Sequence, residues 1–412
     1  MGRPRIVITG VGVIAPNGFG KENFAAALYK GESGVKRIIG FDPSEFNSHI
    51  AGQVHPFHPE EFIEKKELRR MERFVQFALI ASKMAIQDSG LDLSMENTED
   101  IGVIMGSGMG SMDRTEKEYR TLFTQGSSRV SPTYLATSIP NTAASQISIT
   151  LGLRGYSGTT IVACAAGTQA IGEAYYYLQR GDVQVMLAGG SEANITPLYL
   201  GAFCNMKALS TRNEDPTGAC RPFDRNRDGF VIAEGAGVVV LETLDHALKR
   251  DARIYAEIAG FGASSDGYHL TAPDPAAGGM QRSMRRALAD AQINVEEIGY
   301  INAHGTSTRL NDALESYAIK KVFGTSAYTI PISSTKSMTG HALAAAGAIE
   351  LIATLIAMEE NFIPPTINYL CADPECDLDY VPNTAREARI RIALSNSFGF
   401  GGQNASIILR KI

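Results

Sequence analysis

Apolar positions along the chain follow two alternating patterns: short unbroken runs, and longer segments with helical spacing. The runs RIVITGVGVIA near the start and IGVIMGSG from Ile101 predict buried strands, because small and β-branched residues continue without polar interruption. Between them, FVQFALIASKMAIQDSG has apolar residues three and four apart and reaches Gly90, which predicts a helix with a glycine C-cap. This alternation predicts an α/β fold, a mainly parallel sheet covered by helices.

The same alternation surrounds the first cysteine. TTIVAC (159–164) and VQVMLAGGSEA (183–193) predict strands, and the segment AAGTQAIGEAYYYLQRG between them predicts a helix. Residues 342–358 are mostly apolar, but Glu350 interrupts them and the stretch is shorter than the roughly 18 residues of a membrane span. We therefore expect a buried helix there.

A weak internal repeat indicates a duplicated chain. AIQDSGLDLSMENTEDIGVIMGSG resembles ALADAQINVEEIGYINAHG, and aligning Ile101 with Ile298 places His304 opposite Ser107. We predict two similar halves, residues 1–252 and 253–412, related by a pseudo-twofold axis that brings their loop ends together. The alternative is that two unrelated α/β segments merely look alike.

Composition excludes several classes of protein. Among 412 residues, 44% are hydrophobic and 20% charged, as in an ordinary globular protein, and the net charge of -6 argues against nucleic acid as a partner. No secretory signal is visible at the start of the chain, and the five cysteines are widely spread, which predicts reduced thiols and a cytoplasmic location. Cys371 and Cys376 have no second Cys/His pair nearby, so we expect no metal site.

Cys164 stands where the predicted strand becomes a helix. A helix start carries unpaired N–H groups and partial positive charge, which favour a thiolate, and the neighbouring Ala and Gly residues leave the sulfur accessible. These features suit a nucleophile activated by the helix end. The alternative is a small buried apolar side chain, which is common for a free cysteine.

Two further loops carry polar side chains after predicted strands. INAHGTSTRLNDALE places His304 before a hydroxyl-rich cluster that includes Thr306, Thr308 and Asp312, which suits hydrogen bonding to a polar ligand. SSTKSMTGHALAAAGAIE places Lys336, His341 and Glu350 before or within an Ala-rich helix. Because Glu350 is nine residues after His341, about two and a half helical turns, we expect no direct contact between those two.

A glycine-rich loop lies near the end of the chain, in LSNSFGFGGQNAS around Phe400. Glycines permit unusual backbone angles and leave N–H groups bare, as an oxyanion hole requires. The alternative is a flexible turn between two strands.

Taken together, these motifs resemble the β-ketoacyl-acyl carrier protein synthases, closest to the elongating type II enzyme. The resemblance covers nearly the whole chain, from RIVITGVGVIAPNG through RPFDRNRDGFVIAEGAG to NSFGFGGQN. It implies a thiolase-like five-layered α-β-α-β-α fold and a homodimer. It also implies a decarboxylative Claisen condensation that lengthens an acyl chain by two carbons.

The resemblance also assigns roles to residues of this chain. Cys164 would accept the acyl group, and the two histidines would promote decarboxylation of malonyl-carrier protein and stabilise the enolate. Backbone N–H groups of Cys164 and Phe400 would form the oxyanion hole, and Phe400 would also gate the acyl pocket. The remaining assignments are Lys336 orienting the histidine region, Asp312 and Glu350 supporting it, Thr306 and Thr308 contacting phosphopantetheine, and Met109 and Phe203 lining the acyl pocket.

An acyl carrier protein is the partner that the family implies, and its phosphopantetheine arm replaces any resident cofactor. Carrier proteins are acidic, so docking requires a local basic patch on this acidic chain. EKKELRRMERF offers such a patch, which Arg129 and Lys207 extend. Its basic residues are Lys65, Lys66, Arg69, Arg70 and Arg73. The alternative is a solvated helix face.

Related activities remain open. Thiolases need a second active cysteine near the C-terminus, but no Cys follows Cys376, and His341 distinguishes the chain from initiating synthases of the Cys-His-Asn type. A polyketide-type ketosynthase and a non-catalytic chain-length-factor-like partner are the alternatives, although the latter loses the nucleophile. Tyr134 stands where the family commonly has Phe, which could alter chain-length preference.

Overall fold

A computed structural model describes residues 3–412, and two five-stranded arrays dominate it. Their orders are β6-β5-β7-β8-β1 and β11-β10-β14-β15-β9. The strands are β1 (Ile6–Ala15), β2 (Gly18–Phe19), β3 (Val35–Arg37), β4 (Ile50–Gly52), β5 (Ile101–Gly106), β6 (Ser157–Thr160), β7 (Val185–Glu192), β8 (Gly235–Thr243), β9 (Ala256–Ser265), β10 (Tyr300–Asn302), β11 (Ile332–Ser333), β12 (Phe362–Ile363), β13 (Arg386–Glu387), β14 (Ile392–Gly399) and β15 (Gln403–Arg410).

Strand directions match between the arrays. The three outer strands of each array run parallel, and the two inner strands are antiparallel to their neighbours. The prediction of a mainly parallel sheet was therefore wrong, and the sheet is mixed. The arrays meet where Ile6–Ile8 of β1 pairs with 256–258 of β9.

Helices fill three layers around the two arrays. The helices are α1 (Lys21–Lys30), α2 (Lys65–Leu68), α3 (Arg73–Ser89), α4 (Met112–Gln125), α5 (Tyr134–Ser138), α6 (Thr142–Leu151), α7 (Ala166–Arg180), α8 (Pro197–Asn205), α9 (Leu244–Lys249), α10 (Gly278–Ala291), α11 (Arg309–Phe323), α12 (Lys336–Thr339) and α13 (Ala346–Glu360). Helices α7 and α13 contact each other and strands of both arrays, so they form the middle layer. Helices α3 and α6 cover the first array, and α10 and α11 cover the second, which gives the expected α-β-α-β-α order.

Several predicted elements are confirmed by this fold. Helix α3 ends at Gly90, which has a left-handed φ of 64°, and β1 and β5 occupy the predicted apolar runs. Helix α13 is buried from Ala346 to Met358, as expected for a helix apolar on all sides. The strand around TTIVAC is displaced, because β6 ends at Thr160 and leaves Cys164 beyond it.

No helix within residues 3–412 combines the length and apolarity needed to cross a bilayer. The proposed boundary at residues 252 and 253 lies between α9 and β9 and stays a prediction.

Candidate active site

Cys164 lies in a tight turn between β6 and α7. Residues Ala163–Ala165 form one 3₁₀ turn, and α7 begins at the next residue. Ala163 has a φ of 49°, an unfavourable angle for a residue with a side chain, which marks a local constraint immediately before the thiol. The turn thus holds Cys164 at a helix start, and the side chain is only partly buried.

The glycine-rich loop is the tight hairpin between β14 and β15, and it packs directly on the cysteine turn. A Cβ at Gly399 would lie 3.0 Å from the backbone nitrogen of Cys164, so a side chain there would force the hairpin away. Gly401 and Gly402 have φ values of 79° and 67°, which complete the reversal. Backbone N–H groups of Phe400 and of Cys164 itself stabilise the thiolate form of the sulfur.

His304 follows β10, and its main chain is clamped by a buried carboxylate. Glu315 on α11 accepts hydrogen bonds from the backbone N–H of His304 at 2.8 Å and of Gly305 at 2.7 Å. The imidazole packs edge-on against Phe398 at 5.8 Å between ring centroids. Both the position and the orientation of this ring are therefore fixed.

His341 lies between α12 and the 3₁₀ turn before α13. The backbone N–H of Leu343 donates to His341 Nδ1 at 3.3 Å, so Nδ1 is an acceptor and a neutral ring carries its hydrogen on Nε2. The His341 and His304 rings lie 5.4 Å apart between centroids at 84°. The sequence placed these histidines on separate loops, and the fold brings them together.

Lys336 is fully buried and connects the histidine region to Glu350. Its Nζ donates to the His304 carbonyl oxygen at 2.6 Å and lies 3.3 Å from His304 Nδ1. It also forms a short ion pair with Glu350. Because an ammonium can only donate, His304 Nδ1 is an acceptor, and this ring also carries its hydrogen on Nε2. Glu350 therefore reaches the histidine region through Lys336.

Burial changes the protonation of both histidines. Desolvation lowers the pKa of His304 well below its usual value, and the charge of Lys336 and the second imidazole lower it further. The pKa of His341 is lowered by burial and by Lys336. Both rings are therefore neutral at neutral pH.

The pKa of the Cys164 thiol differs from the sequence-based expectation. Burial raises it to about 11, and the Lys336 ammonium and the Phe400 N–H only partly offset that effect. The helix start therefore does not lower the pKa of Cys164 as expected, because removing the sulfur from water raises the pKa more than the helix start lowers it. The thiol is protonated at neutral pH.

One cavity of about 460 Å³ joins these groups. Cys164, His304, His341 and Phe400 all line it, together with the predicted substrate contacts Thr306, Thr308 and Phe203. The two threonine hydroxyls lie 2.9 Å apart, where they face the cavity. Met109 does not line it, and its side chain is 49% exposed, because only the neighbouring Gly108 reaches the wall.

Asp312 supports the threonine loop from behind. It is fully buried, accepts a hydrogen bond from the backbone N–H of Phe223 at 2.8 Å and pairs with Arg227 at 3.6 Å. Burial raises its pKa, and the Arg227 charge opposes that change. The residue therefore has a structural contact to the loop and none to the cavity wall.

The predicted docking residues are exposed and unpaired. Within residues 3–412, no carboxylate lies within salt-bridge distance of any of the six, and Lys207 additionally lines the cavity. They are Lys65, Lys66, Arg69, Arg70, Arg129 and Lys207. Arg73, the fifth basic residue of EKKELRRMERF, instead pairs with Glu234 and stacks on two phenylalanines.

The sequence analysis did not identify two buried carboxylates that support the site. Glu315 holds the backbone of His304, and Glu192 at the end of β7 accepts the backbone N–H of Gly108 at 2.8 Å and that of Met109. Burial raises the pKa of Glu192 to about 8. The available signal was an acid near the end of a predicted buried strand, which Glu192 shows in the sequence.

Across residues 3–412, His, Cys, Asp and Glu side chains nowhere form a group of three suited to hold a metal ion. Cys371 is exposed, whereas Cys376 is buried.

Comparison with known proteins agrees with this geometry. The chain is 47% identical over 412 residues to 3-oxoacyl-[acyl-carrier-protein] synthase 2 of Coxiella burnetii, with both chains fully covered. Among solved structures, the ishigamide ketosynthase/chain length factor matches with a TM-score of 0.94 and 37% identity, covering 100% of both chains. The type II polyketide synthase ketosynthase AntDE, in complex with its acyl-carrier protein AntF and bound to the hexaketide, matches with a TM-score of 0.91 and 39% identity, again over 100% of both chains.

Family models match both parts of the chain. The β-ketoacyl synthase N-terminal domain matches residues 3–247, and the β-ketoacyl synthase C-terminal domain matches residues 255–370. These matches cover most of the sequence and include every residue named at the cavity except Phe398 and the glycine-rich hairpin. The chain belongs to the β-ketoacyl synthase family.

Proposed function

We propose that the chain is a 3-oxoacyl-acyl carrier protein synthase of the elongating type, which condenses an acyl group with malonyl-carrier protein. The observation that carries the proposal is the cavity in which one cysteine meets two neutral imidazoles. The 47% identity to a 3-oxoacyl-[acyl-carrier-protein] synthase 2 supports the elongating fatty-acid role over the polyketide one.

In the first half-reaction, the Cys164 sulfur attacks the carbonyl of an acyl-carrier thioester. A new C–S bond forms, the pantetheine C–S bond breaks, and the thiol proton ends on the departing pantetheine sulfur. The N–H groups of Phe400 and Cys164 stabilise the negative oxygen of the tetrahedral intermediate. Their contact with the sulfur supports this role.

In the second half-reaction, malonyl-carrier protein occupies the same cavity. The Nε2–H groups of His304 and His341 donate to the malonyl thioester oxygen and stabilise the enolate that forms as carbon dioxide leaves. The enolate carbon then attacks the acyl carbonyl, a C–C bond forms, and the acyl bond to Cys164 breaks. The sulfur leaves as a thiolate and is reprotonated to its resting thiol.

An acyl carrier protein is the proposed partner. The unpaired basic side chains of α2 and its flank suit an acidic protein, and Lys207 at the cavity wall suits the place where the pantetheine arm enters. The AntDE neighbour was solved with an acyl-carrier protein. The arm brings the only prosthetic group that the mechanism needs.

We also propose a homodimer in the cytoplasm. Strand β6 is the last strand of its array and has one unpaired edge. Exposed apolar side chains occur in the same part of the sequence, including Phe123, Leu135, Ile149 and Ile161. A second copy paired along β6 would cover both the edge and these side chains. Met109 and Tyr134 belong to this segment, where a partner could complete the acyl pocket. Light scattering should give twice the chain mass.

The proposed function is tested by weighing products. Pure protein is incubated with malonyl-carrier protein and acyl-carrier proteins of graded length. A 3-oxoacyl product two carbons longer than the primer supports the proposal. Repeated unreduced extension would favour a polyketide-type ketosynthase, and a Cys164 that is never acylated would favour a non-catalytic partner.

A further inference from the structure

The segment RPFDRNRDGF, residues 221–230, lies behind the loop that carries Thr306 and Thr308, and none of its side chains has a role in the proposed reaction. The segment lines the cavity from Asp228 onward, whereas Arg227 lies behind the cavity wall. Arg227 is only 2% exposed. A guanidinium that is removed from water needs partners for its N–H donors, so the contacts of Arg227 show what this side chain does.

The Arg227 guanidinium holds the main chain of the threonine loop at the start of α11. Its Nε donates to the carbonyl oxygen of Thr308 and its Nη2 to that of Arg309, each at 3.0 Å. On the far side, Nη1 donates to the carbonyl oxygen of Asp224 at 2.9 Å and to the carboxylate of Asp373. Because the donors of a guanidinium form a rigid planar fork, one side chain fixes both loop carbonyls relative to this anchor.

The residue between the two threonines has an unusual backbone conformation. Ser307 has a φ of 69°, in the left-handed region that residues with a side chain rarely adopt. The backbone N–H of Arg221 donates to Ser307 Oγ at 2.9 Å, and that of Gly229 donates to the Ser307 carbonyl oxygen at 3.1 Å. The same segment that carries Arg227 therefore holds Ser307 in a conformation that costs free energy, which marks the loop as a functional constraint.

The consequence of this conformation is that both threonines face the cavity. Ser307 is fully buried and does not line the cavity, whereas Thr306 and Thr308 line it with hydroxyls 2.9 Å apart. Each hydroxyl can donate and accept, so the pair suits an amide, which offers an N–H and a carbonyl. The pantetheine arm contains two amides and has to enter this cavity to bring its thioester to Cys164.

We propose that Arg227 is a positioning residue, which holds residues 306–308 in the conformation that binds the amides of the pantetheine arm. The inference rests on the proposed function. A loop that is already held in its binding conformation pays less ordering entropy when the arm arrives, so the contacts of Arg227 strengthen binding of the arm. Arg227 itself touches neither the arm nor the reacting atoms.

The test compares wild type with Arg227→Lys, which keeps the charge and loses the fork. Acylation of Cys164 is followed by intact mass with octanoyl-pantetheine and with S-phenyl octanethioate, which delivers the same acyl group without an amide. The concentration of octanoyl-pantetheine for half-maximal acylation should rise about tenfold at an unchanged maximal rate, because the arm is bound equally before and during the reaction. The phenyl thioester should acylate both proteins equally, whereas a general loss of structure would slow both reagents.

Three further variants sharpen the comparison. Thr306→Val replaces one hydroxyl by a methyl group, and combining it with Arg227→Lys should add little, because Arg227 acts through the threonines. Asp373→Asn weakens the anchor of the guanidinium outside the cavity and should give a smaller loss in the same direction, even if Arg227→Lys does not fold. Arg225→Lys is the matched control, since Arg225 is exposed on the same segment and does not line the cavity.

Equal slowing with the two thioesters in Arg227→Lys or Asp373→Asn would overturn the inference, and so would full additivity in the double variant. A wild-type protein that gains nothing from the arm, with octanoyl-pantetheine no better than the phenyl thioester, would overturn the inference alone. A wild-type protein that neither thioester acylates would overturn the proposed function as well.

Discussion

The turns that open α7 and α13 have the same backbone and different chemistry. Each is a 3₁₀ turn of three residues followed at once by a 15-residue helix, and the first residue of each turn has a φ of 49°. The first turn carries Cys164 and the second carries Ala344 at the matching place, and both line the cavity. The two turns therefore share one backbone geometry, and only the first carries a thiol.

The second half of the chain supplies the histidines and the lysine of the site. His341 and Lys336 precede the α13 turn, and His304 follows β10, so both imidazoles and the ammonium near the sulfur come from the second half, whereas the buried Glu192 comes from the first. The backbone therefore sets where a reactive side chain can lie, and the hydrogen bonds around that side chain determine its role in the reaction. The predictions below separate these two contributions.

The largest effect is expected for Cys164→Ala. Acyl-enzyme formation should disappear in intact mass spectra, because the thiol that meets the Phe400 N–H is removed. Adding Ala344→Cys to that variant places a sulfur on the matching turn and should not restore the adduct. An adduct in the single variant would place the nucleophile elsewhere, and efficient rescue in the double one would show that the two turns are chemically equivalent.

His304→Ala should slow carbon dioxide release from malonyl-carrier protein roughly 10²–10³-fold, as for loss of one preorganised donor. Acylation of Cys164 should continue, since the N–H groups of the hairpin remain. His58→Ala removes an exposed imidazole and serves as the control. Unchanged decarboxylation in His304→Ala would contradict the assigned role.

Lys336→Met should lower the free energy of unfolding by about 3–5 kcal/mol, because Glu350 is left as an unpaired buried charge. Lys320→Met breaks a partly exposed pair with Asp377 and should cost at most about 1 kcal/mol. Urea titrations measure both. Equal losses would mean that the buried pair contributes no more than a surface one.

The two imidazoles predict a pH dependence of stability. Their pKa values are lowered on folding, so below about pH 6.5 the unfolded chain binds protons that the folded chain does not, and stability falls as pH decreases. Each ring contributes about 1.4 kcal/mol per pH unit in that range. Denaturation of His304→Gln/His341→Gln at several pH values should show a shallower slope than wild type, and an equal slope would refute neutral rings.

Charge reversal at Lys65, Lys66 and Arg69 should give the smallest effect, a severalfold higher KM for carrier protein that shrinks as salt is added. Arg389→Glu changes another exposed, unpaired arginine and is the control. A KM that stays at the wild-type value would favour the alternative that these residues form a solvated helix face.

Sequence alone predicted the elements that rest on long periodic patterns. Helix α3, the buried helix α13 and strand β1 follow from apolar spacing, and Gly90 from its capping preference. The antiparallel inner strands escaped prediction, because strand direction depends on chain connections and not on side-chain pattern. Strand β6 was displaced because small residues around Cys164 suit a strand and a turn equally.

The site was predicted less completely than the fold. Motifs identified the thiol and the histidines, but no local pattern shows that Glu315 and Glu192 hold the backbone beside them. Burial in the folded cavity raises the pKa of Cys164. The sequence-based argument considered only the helix end and could not include this burial. Met109 is exposed and does not line the cavity for the same reason, since its surroundings are set by tertiary packing.

Acylation and decarboxylation depend on different side chains of one cavity, which is tested by following both half-reactions in two variants. Acyl adducts and carbon dioxide release are measured in parallel in Cys164→Ala and in His304→Ala/His341→Ala. We predict carbon dioxide release without adduct in the first, and adduct without carbon dioxide release in the second. Loss of both activities together in either folded variant would contradict the account.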